Sequence, residues 1–234
     1  MTRVKICGNT SLADAERAAD LGAWAIGLIF VPGTPREVPV DTAAEIAAAL
    51  RRRTEVCGVF ANAPLDEVAS VADAVGLTML QLHGDEGPSY CAEAARRTGA
   101  KVMRAFRVRS AADVRTAEAF RTDFHLFDAY RHGLHGGTGR SFDWGLLAGR
   151  RSKVPMVLAG GLTPGNVAEA IRIARPFAVD VVSGVEVEPG RKDRAKVEAF
   201  LRAAGVESPA GSRVATSSAS PPGTPGGEAE EVAG

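Results

Sequence analysis

Two kinds of segment alternate along the chain up to about residue 205. Short apolar runs, rich in β-branched and aromatic residues, occupy positions 4–7, 25–30, 55–60, 79–83, 102–107, 125–128, 156–159 and 178–183. Longer alanine-rich stretches with helical spacing lie between them. The runs recur every 20 to 30 residues or so, the length of a strand-plus-helix unit. Helix starts are marked. Ser11 with Asp14, Thr42 with Glu45, and Ser110 with Asp113 all have capping-box spacing. Pro64 and Pro164 suit first helical turns, where a missing N–H costs nothing. Gly22, Gly76 and Gly99 fall where helices should stop. The sixth helical stretch, residues 143–151, is the weakest.

Strands that alternate with helices imply a parallel sheet covered by helices. Eight such units predict an α/β chain folded as a (β/α)8 TIM barrel rather than an open, doubly wound sheet. The 234 residues suffice for one such domain, read as residues 1–205. Residues 206–234 are rich in Ser, Pro, Gly, Ala and Glu and hold no aromatic residue. Such a segment buries too little apolar surface to offset its ordering entropy, so a disordered tail is expected.

The formal net charge is +0, which argues against nucleic acid as the main partner, because phosphate-backbone binding needs a basic surplus. No run approaches the roughly 20 apolar residues that span a bilayer, and no signal segment opens the chain. The three cysteines, Cys7, Cys57 and Cys91, are odd in number and match no zinc spacing. A cytoplasmic protein with no membrane contact is expected. Cys57 and Cys91 read as buried small residues.

In a barrel of this kind the active site forms at the carboxyl ends of the strands. Residues two apart share a strand face. Lys5 and Cys7 therefore share a face of the first strand, and Gln81 and His83 a face of the fourth. Asp128 ends the sixth run and Asp180 lies on the eighth. Several polar residues at one end of successive strands point to a site. Gly160 and Gly161 follow the seventh run, and Ser183 and Gly184 the eighth, the loops where such barrels bind phosphate. The stretch from Gly136 to Ser141 is a P-loop look-alike that lacks the required first Gly and Lys, and reads as a Gly-rich loop or lid. His132 and His135 read as loop histidines rather than metal ligands.

Six segments together resemble the phosphoribosylanthranilate isomerase family. They are Lys5-Ile6-Cys7-Gly8-Asn9-Thr10, Thr34-Pro35-Arg36, Leu80-Gln81-Leu82-His83-Gly84, Phe127-Asp128 with Gly136-Gly137-Thr138-Gly139, Gly160-Gly161-Leu162, and Ser183-Gly184-Val185-Glu186. They stand in the family order, and the resemblance covers residues 3–204. Thr34 replaces a usual Ser and keeps the hydroxyl. Val182 stands where a Ser is frequent, which removes one phosphate contact and leaves the backbone amides to serve.

The resemblance implies an isomerase of tryptophan biosynthesis that needs no cofactor and no metal. Its substrate is a small phosphorylated sugar–anthranilate conjugate, N-(5-phosphoribosyl)anthranilate. The product is 1-(2-carboxyphenylamino)-1-deoxyribulose 5-phosphate, formed by an Amadori rearrangement. By carry-over, Asp128 is the general acid at the ring oxygen and Cys7 the general base at carbon 2. Arg36 is assigned to the anthranilate carboxylate; Gln81, His83 and Asp180 position the substrate; Gly160, Gly161, Ser183 and Gly184 cradle the phosphate. Lys5, beside Cys7, is expected to ease its ionisation. Two alternatives stay open: a histidine-pathway or dual-substrate aminoaldose phosphate isomerase, which uses two aspartates, and a non-catalytic phosphosugar-binding barrel. Monomer and homodimer are both compatible with the sequence.

Overall fold

Period-two alternation sorts each strand's residues between two cores, and in the computed structural model the two are separate. The structure describes residues 1–128 and 144–206. Residues 207–234 of the expected disordered tail, the Gly136–Gly139 loop, His132 and His135 lie outside the described residues; Val206, which the sequence places in the tail, packs against the core. Eight strands close into a barrel in chain order: β1 (Arg3–Ile6), β2 (Ala25–Ile29), β3 (Glu55–Phe60), β4 (Met79–Leu82), β5 (Lys101–Arg107), β6 (Phe124–Asp128), β7 (Met156–Ala159) and β8 (Ala178–Val181). Neighbouring strands are parallel, including the closing β1–β8 pair, where Lys5 stands opposite Asp180. Cys57, Met79, Met103, Leu126 and Val157 fill the barrel's inside. The alternate residues, among them Ile6, Leu28, Leu80, Phe127 and Val179, pack outward against the helices.

The covering helices are α1 (Leu12–Asp20), α2 (Val40–Leu50), α3 (Leu65–Val75), α4 (Pro88–Thr98), α5 (Ala111–Thr116), α6 (Val167–Ala174) and α7 (Arg194–Ala203). Among the described residues between β6 and β7, helical structure is a short 3-10 stretch, Trp144–Gly149. Among the described residues no helix is long and apolar enough to cross a membrane.

Most of the boundary signals hold. Ser11 caps α1 by accepting the Asp14 N–H, although the Asp14 carboxylate turns to Arg17 rather than back to the cap. Ser110 and Asp113 form the full reciprocal box. Gly76 and Gly99 end α3 and α4 in the left-handed conformation, at φ 74° and 67°. Three expectations need correction. Thr42 does not cap α2, because Pro39, already extended at φ −61° and ψ 145°, starts that helix at Val40 and leaves Thr42 inside its first turn. Pro64 is the residue before α3, not its first, and Pro164 lies in a turn ahead of Asn166, which caps α6. The eighth strand stops at Val181; Ser183 opens a 3-10 turn, Ser183–Val185, instead of ending the strand. After that turn comes a small hairpin, β9 (Glu186–Glu188) and β10 (Arg191–Lys192), that the hydrophobic pattern does not announce.

Candidate active site

Lys5 is completely buried, and its Nζ lies 3.1 Å from both carboxylate oxygens of Asp180 across the β1–β8 seam. Cys7 sits one pleat above. Its N–H donates to the Val181 carbonyl at 2.9 Å, so the parallel ladder carries one residue past β1. Its position depends on Gly27: a Cβ there would lie 2.4 Å from the Cys7 Sγ and 2.9 Å from its Cα.

The electrostatics of this pair differ from the sequence expectation. Burial pushes the Cys7 thiol up, and the Lys5 ammonium lowers it by less than burial raises it. Lys5 does not make Cys7 an easily formed thiolate here, because its charge is answered by Asp180 and Cys7 is only 2% exposed. Burial opposes the charge on Lys5, yet Asp180 and the sulfurs of Cys7 and Cys57 hold its pKa above the ordinary value. Asp180 is pushed up by burial, against the pull of Lys5.

Across the barrel mouth, Gln81 and His83 project from the end of β4. Gln81 Nε2 is 3.0 Å from His83 Nδ1, and His83 Nε2 is 3.3 Å from Asp128 Oδ2 at the end of β6. With the Gln81 amide donating, Nδ1 is the acceptor and Nε2 carries the proton that faces the Asp128 carboxylate. The loop behind His83 is clamped by Arg104 on β5. Its guanidinium donates to the carbonyls of Leu82 (3.0 Å), Gly84 (2.9 Å) and Glu86 (2.9 Å). Glu86 in turn accepts the N–H groups of Asn62 and Gly84.

The two glycine-bearing loops meet at one side of the same mouth. Gly160 and Gly161 take φ 92° and 64°, which only glycine adopts without strain. Asn166 fastens that loop, accepting the Thr163 N–H at 2.8 Å and donating to the Gly161 carbonyl at 3.0 Å. Gly184 lies against it so closely that a Cβ would sit 2.0 Å from the Leu162 carbonyl oxygen.

Cys7, Gln81, His83, Asp128, Gly160, Gly161, Asp180, Ser183 and Gly184 thus line one cleft of about 200 Å³, partly open to solvent. Lys5 lies beneath it. Arg36 is the exception, as it is not among the cleft's lining residues. Its Nε and Nη2 grip the Glu186 carboxylate at 2.7–3.1 Å, and it stands beside the backbone that follows Cys7.

From residue 4 to residue 203, the sequence matches the family model described as N-(5'-phosphoribosyl)anthranilate isomerase. The chain belongs to this family. A member from Pelobacter propionicus is 45% identical over 87% of this chain and 96% of its own length. Another, from Geobacter sp., is 46% identical over 86% and 97%. Among solved structures, the phosphoribosylanthranilate isomerase of Thermotoga maritima superposes with a TM-score of 0.79 at 38% identity, covering 88% of this chain and 99% of that one. A structure of such an isomerase in complex with reduced 1-(o-carboxyphenylamino)-1-deoxyribulose 5-phosphate gives 0.75 at 36% identity, covering 88% and 99%.

Against this family frame, the residues that sequence reasoning missed are supporting ones. Gly27, Arg104, Asn166, Glu186 and Lys192 hold the site's groups in place. Arg104 carried a readable signal, an arginine in the middle of an apolar strand run. Glu186 stood in a quoted motif without a role, and Lys192 gave no signal, because its partners are distant in sequence.

Proposed function

We propose that this protein converts N-(5-phosphoribosyl)anthranilate to 1-(2-carboxyphenylamino)-1-deoxyribulose 5-phosphate. The observation that carries this reading is the shared cleft: a thiol just beyond β1 and a carboxyl group at the end of β6 face one space that ends in two glycine-lined loops. Aldose-to-ketose rearrangement needs an acid and a base at neighbouring atoms of one sugar, with the phosphate held away from them.

Asp128 gives its proton to the ring oxygen, the furanose opens, and the anthranilate nitrogen becomes the protonated imine. Cys7, as thiolate, takes the proton from carbon 2, and the electron pair moves to give an enolamine. Tautomerisation of the enolamine yields the ketone. Carbon 1 is reduced as carbon 2 is oxidised, so no outside electron acceptor is needed. His83 orients the Asp128 carboxyl, and Gln81 fixes the His83 ring. Lys5 offsets part of the burial that opposes the Cys7 thiolate, while Asp180 works against that offset. The N–H groups of Gly161, Ser183 and Gly184, with Gly160 allowing close approach, hold the phosphate. Arg36 meets the anthranilate carboxylate at the mouth. A reducing, cytoplasmic setting belongs to this reading, supported by three buried free cysteines.

The test compares two substrates. Wild-type protein is expected to consume fluorescent N-(5-phosphoribosyl)anthranilate rapidly and to leave the histidine-pathway aminoaldose phosphate unchanged. Turnover of the second substrate alone would replace this assignment, and tight product-analogue binding with no turnover of either would reduce the barrel to a binding protein.

A further inference from the structure

Beside the cleft lies a buried charge cluster in which the proposed reaction gives a part to Arg36 alone. The Glu186 side chain is only 4% exposed and holds two cations, Arg36 and Lys192. Lys192, its side chain 2% exposed, donates from Nζ to Glu186 Oε1 at 3.0 Å and to the carbonyl of Cys7 at 2.5 Å. The Gly190 N–H adds a contact to Glu186 Oε1 at 3.3 Å. Three elements distant in the chain are therefore tied at one point: the β9–β10 hairpin, the loop after β2, and the backbone of Cys7.

We propose that Glu186 is a positioning residue that presets Arg36 to receive the substrate's carboxylate on its free edge. This rests on the reading that Arg36 meets the anthranilate carboxylate. A guanidinium has five N–H donors and can offer a parallel pair on more than one edge. Glu186 occupies the edge made by Nε and Nη2. That leaves the edge made by Nη1 and the second N–H of Nη2, again a parallel pair suited to a carboxylate. With one edge fastened, the long side chain no longer has to be ordered when substrate arrives, which lowers the entropic cost of binding. Pairing with Glu186 does not cancel the attraction for an anion. Lys192 supplies a second positive charge, so two cations face one carboxylate and the cluster keeps a net charge of about +1.

Binding separates this role from a general structural one. Affinities would be measured for the reduced product analogue and for its counterpart lacking the ring carboxylate, in wild type, Arg36→Ala, Glu186→Gln and Arg36→Ala/Glu186→Gln. Wild type should prefer the carboxylated ligand, and Arg36→Ala should abolish that preference. Glu186→Gln should cut the preference roughly tenfold, as expected for loss of one charge-assisted pair, with affinity for the carboxylate-free ligand unchanged. It should raise KM while largely preserving kcat. In the Arg36→Ala background, Glu186→Gln should have no further effect. A variant with both buried charges removed, Glu186→Leu/Lys192→Met, should lose the same preference and covers the case in which Glu186→Gln folds poorly. Full preference retained in either Glu186 variant, or equal weakening of both ligands, overturns the positioning role while leaving the Arg36 reading intact. No preference in wild type itself overturns the Arg36 reading, and this proposal with it.

Discussion

At the scale of single residues, the site depends on what is missing as much as on what is present. The absent side chain at position 27 lets Cys7 stand where it does, since any Cβ there would overlap the sulfur. Gly27→Ala should therefore displace Cys7 by something near an ångström. Misplacement on that scale costs turnover about 10²-fold. Steady-state kinetics alongside a thermal melt would check this, and a folded variant with wild-type kcat would contradict the placement. The sequence motif shows Cys7 readily but gives no hint of Gly27, which becomes its neighbour only when β1 and β2 pair. The state of the thiol was also misread. The sequence offers a lysine two residues away, whereas the structure shows burial outweighing that lysine and Asp180 taking its charge.

At the scale of elements, strand β6 shows how one strand serves two faces. Asp128 faces the cleft, while His125 faces the helices and is fully buried. His125 packs edge-on against Phe106 and Phe127, and its Nε2 lies 3.3 Å from the Phe120 carbonyl. Burial pulls its pKa down from 6.5 to about 4. The folded state then refuses a proton that the unfolded state accepts below pH 6.5, so stability falls as pH drops from 6.5 towards 4. The full effect amounts to about 3 kcal/mol. Denaturant unfolding of wild type and His125→Gln across that range should show a shallower pH dependence in the variant, which keeps a donor for Phe120 but does not titrate. Parallel slopes would mean that His125 is not the group responsible.

All eight strands were legible in the sequence because inward and outward positions alternate with apolar residues on both faces, a pattern that only a covered parallel sheet satisfies. The β9–β10 hairpin was not. It is five residues of strand, mostly charged, and its value lies in contacts with Arg36, Thr10 and Cys7, up to 185 residues away. Helix starts were legible where a side chain caps, as at Ser11 and Ser110, and misread where Pro39 takes over the start.

At the scale of the whole molecule, the barrel has one closed end and one working end. Trp24, Phe124 and Phe177 meet edge-to-face or tilted at the amino ends of the strands, with the Arg3 guanidinium 4.8 Å above the Phe177 ring. The polar side chains that sequence reasoning singled out collect at the other end. Helix α7 completes the ring of helices and packs on α1 and α6, and the family match ends at residue 203. Val206 still packs against the core and donates its N–H to the Leu201 carbonyl at 3.0 Å. A chain cut after Val206 should keep its thermal midpoint and its turnover, as measured by melting and by substrate fluorescence. A drop of several degrees would assign the tail a part in the barrel.

The central claim is that Cys7 and Asp128 act on one substrate from two sides of one cleft. Single-turnover decay of N-(5-phosphoribosyl)anthranilate fluorescence, with wild type, Cys7→Ala and Asp128→Asn under identical conditions, tests it most directly. Each replacement should slow the chemical step by about 10²–10⁴-fold while the reduced product analogue still binds. A folded Cys7→Ala or Asp128→Asn protein that turns over at the wild-type rate would contradict the account.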